Sequence, residues 1–229
     1  MTTTTQAQAE EVPPQPPKPS QPRDLARFVA SRVARLQREY LDHRPDAAAA
    51  LAKLRRGVGK EPGAVPELWQ LTLEGVPLPA WYTDAPTDFE NAAYAALTLY
   101  AVHQQSRREP MHQPGQGLGA AARVLRARKK AAGGSEDAVR RRFEAIGTAV
   151  SFSEVMHHGR ALVTLLRTHN VPLDYGRLAQ DLVLLQRPGR GDQVRLAWGR
   201  DFYQAGSEPT DQDNSAATGA VAEDGETTT

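Results

Sequence analysis

The chain has 229 residues, with 28 Lys and Arg, 27 Asp and Glu, and no cysteine. The missing thiols exclude a disulfide framework, a thiolate metal site and a Cys nucleophile. The formal net charge of +1 hides an asymmetry: the two ends carry eight acids and one base, leaving 27 bases and 19 acids, a net of +8, in between. Most of those bases are Arg, which pairs bidentately with phosphate, so a polyanionic partner competes with the plainer reading of solvated charged faces.

The first segment, Met1 to Pro22, is mostly Thr, Gln, Ala and Pro, with almost no large apolar side chains. Together with the acidic stretch Ser207 to Thr229 it is expected to stay unfolded, since neither buries enough apolar surface to offset the entropy of ordering. The domain is expected over 23–206. No cationic region followed by an apolar run opens the chain, and no run approaches a membrane span. A soluble, cytoplasmic protein is expected.

Pro22 opens the first predicted helix, with Leu25, Val29, Val33, Leu36 and Tyr40 on one stripe. Pro45 and Asp46 restart a short helix that Gly57 ends. Residues Gly59 to Pro79 read as loop, with at most one turn near Pro66 to Leu71. Thr87 and Glu90 have the spacing of a capping box. From Ala92 to Val102 the chain is apolar almost all round, which predicts a central buried helix.

A Gly/Pro loop follows over Pro110 to Gly119, then a strongly basic helix over Ala120 to Lys130 that Gly133-Gly134 breaks. Ser135 is a candidate cap for a helix with Val139, Phe143, Ile146 and Val150 on one face. Ser151 starts another, with Phe152, Val155, Gly159, Leu162 and Leu166 inward. Asp174 caps the next, with Tyr175, Leu178, Leu182 and Leu185 inward. After a turn at Arg187 to Gly191, Asp192 to Gln204 forms the last helix. No stretch alternates as a strand does. The fold class expected is all-α, a compact bundle of short helices or two small helical lobes.

Several residues invite chemistry. Gly115-Gln116-Gly117-Leu118-Gly119 precedes a helix and could offer backbone N–H groups to one phosphate. No Lys-Ser or Lys-Thr follows and no strand precedes, so neither a Walker site nor a dinucleotide fold is indicated. His157 and His158 diverge by about 100° on a helix and do not chelate one metal easily. The other histidines are scattered, and there is no His-Glu-x-x-His. No metal site, no other cofactor and no catalytic constellation is expected. Trp198 and Phe202 are aromatic enough for base stacking, but with Val194 they fall at four-residue steps, which favours the core.

The basic candidates are clearer. Arg140-Arg141-Arg142 lies in a helix whose core side is Val139 and Phe143, so Arg141 points outward and its neighbours flank it. The preceding helix adds Arg123, Arg126, Arg128, Lys129 and Lys130. Lys53, Arg55 and Arg56 close a shorter helix, where one base is explained by the helix dipole and three are less so.

Five short blocks stand in a fixed order: Leu54-Arg55-Arg56-Gly57; Ala96 to Tyr100 running into His103 to Ser106; Met111-His112 with Pro114-Gly115 and Gly117 to Gly119; Leu173-Asp174-Tyr175; and Trp198 to Tyr203. In this order they resemble the CasB family, the small subunit of the type I-E CRISPR complex Cascade. The resemblance spans about Leu51 to Ala205; neither the long N-terminal tail nor the acidic C-terminal one belongs to the pattern. It implies an all-helical, non-catalytic subunit present in two copies, head to tail, beside the subunits that hold the crRNA. Its implied partners are the other Cascade subunits, a second copy of itself, crRNA and both strands of target DNA, with the R-loop stabilised during antiviral defence. The basic positions beside matching blocks are Arg55, Arg56, Arg123, Arg140, Arg141, Arg142 and Arg160. Arg195 and Arg200 lie in or beside the last block, where a salt bridge to Asp192 competes. With Lys53, Arg126, Lys129 and Lys130 these form the predicted nucleic-acid-binding set. The alternatives are a structural adaptor whose arginines meet acidic protein faces, a free nucleic-acid-binding protein without a CRISPR role, and a metal-dependent nuclease.

Overall fold

The computed structural model describes residues 20–79 and 84–204. The segments expected to be unfolded lie outside the described residues, except for Ser20, Gln21 and Pro22: Gln21 is the N-cap and Pro22 the first residue of α1 (Pro22–Leu41). Proline suits that place because the first turn needs no N–H there. Gln21 and Asp24 close a reciprocal capping box around it.

The described residues are helical and connected by turns, as the periodicity predicts. After α1 come α2 (Pro45–Arg56), a 3-10 turn (Pro66–Leu68) leading into the short α3 (Trp69–Thr72), α4 (Asp88–Gln104), α5 (Leu118–Ala131), α6 (Asp137–Thr148), α7 (Phe152–Thr168), α8 (Tyr175–Leu185) and α9 (Gly191–Tyr203). The one extended pairing among them is an isolated bridge between His112 and Leu173. No described helix is long and apolar enough to cross a membrane.

The centre is α4. Fourteen of its seventeen residues are buried, so every face of this helix meets protein. Thr87 and Glu90 cap it as predicted, the Thr87 side chain accepting from the Glu90 N–H and the Glu90 side chain accepting from the Thr87 N–H at 2.8 Å. Helices α1, α2, α7 and α8 pack around it. The stripe Leu25, Val29, Val33 and Leu36 is buried, and α1 lies along α8. A Cβ on Gly176 would stand 2.7 Å from the Ala26 carbonyl oxygen and 2.9 Å from Ala30 Cβ, so this crossing requires glycine. Around the other end, α5 lies on α9 and α6 on α7. Buried apolar residues form one cluster running from α1 to α9, so the bundle has a single continuous core rather than two lobes.

Gly57 ends α2 as expected, but for a different reason. Its φ of −82° is one that any residue adopts. A Cβ there would meet Leu68 Cδ1 at 2.5 Å and the Tyr94 hydroxyl oxygen at 2.6 Å. The Tyr94 hydroxyl instead donates to the Gly57 carbonyl at 3.0 Å and ties α4 to the end of α2.

Two local expectations fail. Ser135 accepts from the Asp137 N–H at 3.2 Å in the turn, while α6 begins at Asp137 with Glu136 at its cap position. Val150, expected on the inner face of α6, is 92% exposed. The helix stops at Thr148 and Ala149 turns extended, with φ −58° and ψ 131°. Ala149 itself is buried.

Candidate nucleic-acid interface

The predicted basic surface is built by α5, α6 and the turn between them. Arg141 is exposed, with no hydrogen bond or ion pair of its own among the described residues; Lys129 is half-buried and forms no ion pair. Arg142 is exposed and donates only to the Ala138 carbonyl of its own helix, at 3.2 Å. The flanking bases are partly committed. Arg140 pairs with Asp137 at 3.0 Å and Lys130 with Glu136 at 3.1 Å. Both are exposed surface pairs, which hold little energy and exchange readily for another anion.

Arg126 is held more firmly. Its guanidinium lies 4.7 Å from the centroid of Phe202, with Glu136 3.8 Å away. Arg123 reaches across to α9, where it donates to the Gln204 carbonyl. Both residues thus help fasten α5 to α9 as well as adding charge.

The second predicted group sits at the end of α2. Lys53 is exposed and Arg55 half-buried, neither in an ion pair among the described residues. Arg56 is exposed and pairs with Glu67 at 3.1 Å. Arg160 on α7 and Arg200 on α9 are exposed. Arg195 is committed, donating to the Ala149 carbonyl at 2.9 Å and pairing with Asp192 at 3.2 Å.

Sequence reasoning missed how many arginines serve the fold. Arg32 donates to the Leu71 and Glu74 carbonyls at 3.0 and 2.9 Å, closing the end of α3. Arg128 donates to the His169 and Asn170 carbonyls at 2.6 and 3.0 Å, closing α7. Arg187 pairs with Asp88 at 2.7 Å and lies over Phe89. Arg177 pairs with Asp201 at 2.8 Å. Helix C-termini leave carbonyls without partners, and a guanidinium with five donors satisfies several at once. The excess of +8 therefore overstates the charge available to a ligand.

The blocks that carry the family resemblance serve the core. Gln104 is buried: its amide nitrogen donates to the Arg107 and Glu109 carbonyls at 3.0 and 2.9 Å, while its oxygen accepts from the Met111 N–H at 3.1 Å. His103 Nδ1 lies 2.9 Å from the Tyr175 hydroxyl, and the Tyr175 N–H donates to His112 Nδ1 at 3.2 Å. Gln37 on α1 clamps His112 from the other side: its side-chain oxygen accepts from the His112 N–H at 2.7 Å and its amide donates to the His112 carbonyl at 3.2 Å. Burial drives the His103 imidazole down to about 3, with the Val171 carbonyl opposing and Arg167 and Arg107 assisting. Burial lowers His112 as well. Both rings are neutral joints between α1, α4, α8 and the loop before α5.

The glycine loop holds an anion already. The Asp174 carboxylate accepts from the Gly115 N–H at 2.7 Å and from the Arg177 N–H at 3.0 Å, so one side chain both holds the loop and caps α8. Gly115 has a φ of +85°, which only glycine adopts without strain. Histidines 157 and 158 sit with ring centroids 5.2 Å apart. No group of three or more potential metal ligands occurs among the described residues.

Trp198 is in the core, as the spacing favours, and its indole N–H donates to Asp181 at 2.7 Å. Burial raises the Asp181 carboxyl to about 6, against the pull of that hydrogen bond and of Arg177. A raised carboxyl contributes stability that is complete below the unfolded value of 3.8 and is lost as pH rises through about 6. Asp181→Asn keeps an acceptor for the indole and removes the titration. Thermal midpoints measured from pH 4 to pH 7 are expected to lose this downward component in the variant; an unchanged profile would show that Asp181 titrates normally.

The sequence signature of the CRISPR-associated protein Cse2 family matches residues 50–203. No curated protein matches the chain. Among solved structures, CasB from Thermobifida fusca shares 42% identity and superposes with a TM-score of 0.64, covering 78% of this chain and 97% of its own. A chain from a CRISPR RNA-guided surveillance complex shares 26% identity with a TM-score of 0.60, covering 79% of this chain and 92% of its own. With the family signature spanning the folded region from α2 to the end of α9, and a relative of this identity matched over nearly its whole length, the chain belongs to the Cse2 (CasB) family.

Proposed function

We propose that this chain is a non-catalytic small subunit of a CRISPR RNA-guided surveillance complex, and that its basic surface holds nucleic-acid backbone in the R-loop. The observation that carries this reading is its family membership together with its likeness to a chain of such a complex. The exposed bases on α5, α6 and the end of α2 suit contacts to phosphate, which position a strand without reading its sequence. In guided effectors base pairing reads the sequence, so a subunit with this surface needs no base-reading helix. The partners are the other subunits of the complex, a second copy of this chain, the guide RNA and the two strands of target DNA.

The test is a reconstituted complex carrying Arg141→Glu and Arg142→Glu together. These side chains make no ion pair among the described residues, so circular dichroism and assembly are expected to be unchanged. Target retention is expected to fall by about tenfold or more near 0.1 M salt, with the log–log salt slope reduced by about two. Full retention of target would sink the assignment of these two arginines. Loss of the subunit from the complex would favour the adaptor reading, in which the same face meets acidic protein.

A further inference from the structure

The chain carries its own polyanion in the sequence that follows the last described residue. Residues 205–229 contain six acids, Glu208, Asp211, Asp213, Glu223, Asp224 and Glu226, and no base. Helices α5 and α6 with the turn between them carry eight bases against three acids. The charges are opposite and nearly matched, near −6 on one side and +5 on the other. The point of attachment is on that face: Gln204, the last described residue, accepts a hydrogen bond from Arg123 of α5 through its carbonyl.

We infer that the acidic C-terminal segment docks on the α5–α6 basic face and competes there with nucleic acid. This deepens the proposed function and rests on it for the competitor. Reach favours the contact. Glu208 stands four residues beyond Gln204, about 14 Å of extended chain. Lys129 and Lys130 lie six and seven residues along α5 from Arg123, about 9–10 Å of helix rise. A tethered ligand within reach of its site acts at an effective concentration in the millimolar range. Charge pairs of this kind weaken as salt shortens the Debye length.

The bases of this face have few acidic partners among the described residues. Arg141 and Lys129 have no acidic partner among the described residues, and Lys130 and Arg140 have exposed ones that exchange. Nucleic acid with more charges per unit length displaces the segment, so the device sets a threshold against short or sparse polyanions.

Two measurements on the full chain test this. Zero-length carbodiimide cross-linking joins carboxylates to amines in contact, and mass spectrometry identifies the pairs. Links from Glu208, Asp211 or Asp213 to Lys129 or Lys130, lost at 0.5 M salt, are expected. Links spread equally to Lys53 and Lys60 would overturn the docking site. The second measurement compares binding of a labelled 30-nucleotide single strand by the full chain, a chain ending at Gln204, and a full chain with the six acids changed to Asn and Gln. The two altered forms are expected to bind roughly tenfold more tightly than the full chain at 50 mM salt, with the difference closing by 0.5 M. Equal affinity of all three overturns the competition. Specific cross-links with no strand binding by any form would retain the docking and remove the nucleic-acid reading instead.

Discussion

Gly119→Val is expected to unfold the protein or to lower its thermal midpoint by roughly 6–12 °C, corresponding to at least about 3 kcal/mol. A Cβ at this position would stand 2.1 Å from the Trp198 carbonyl oxygen and 2.8 Å from Asp201 Cβ. Neither is the free end of a flexible side chain, so α5 and α9 must separate. Separation disturbs Phe202, which stacks on Phe143 with ring centroids 4.3 Å apart. Gly199→Ala is the matched control on α9. Its Cβ meets nothing within 4 Å, and alanine in a helix interior gains about 0.5–1 kcal/mol over glycine. A midpoint that falls for Gly199→Ala, or holds for Gly119→Val, would refute this account of the α5–α9 contact.

Acid is expected to destabilise the protein well before general carboxylate titration completes. His103 is neutral in the fold down to about pH 3 and free to take a proton near 6.5 once unfolded. The unfolded state therefore binds more protons across that window, and stability falls as pH drops from 6.5 towards 3. For His103 the loss is on the order of 3 kcal/mol by pH 4. His112 acts in the same direction. Asp181 opposes them between 3.8 and about 6, so Asp181→Asn should steepen the acid loss. His103→Gln offers Tyr175 another acceptor without the titration, and denaturant midpoints measured at pH 4 and pH 7 should converge in it. Equal slopes for the variant and the parent chain would show that His103 is protonated within the fold.

Much of this fold is legible because its signals are local. Thr87, Ser151 and Asp174 each cap the helix that the spacing assigns to them. The unbroken apolar run of α4 leaves it no solvent-facing side, and Trp198 keeps its place on the inner stripe. The candidate interface is legible as charge but not as availability. Arg32 bonds carbonyls about 40 residues away, and Arg128 does the same across 41 and 42. No period in the sequence marks such a partnership, because it depends on where two helix ends meet. The histidines look scattered for the same reason: His103, His112 and Tyr175 converge through a tertiary crossing. Val150 was misplaced because its period was continued one residue past a backbone that had already left the helix.

The pairing of α1 with α8 fixes an order of events in synthesis. Leu25, Val29, Val33 and Leu36 leave the ribosome long before the helix that covers much of their stripe, which begins only at Tyr175. At about 5–20 residues per second that interval is on the order of ten seconds. For that time an amphipathic segment with an uncovered apolar side waits in the company of α2 and α4 alone. The nascent chain is thus a natural client for holding factors until its eighth helix emerges, and codon changes that slow translation between α4 and α8 would lengthen its exposure to aggregation without altering the native state.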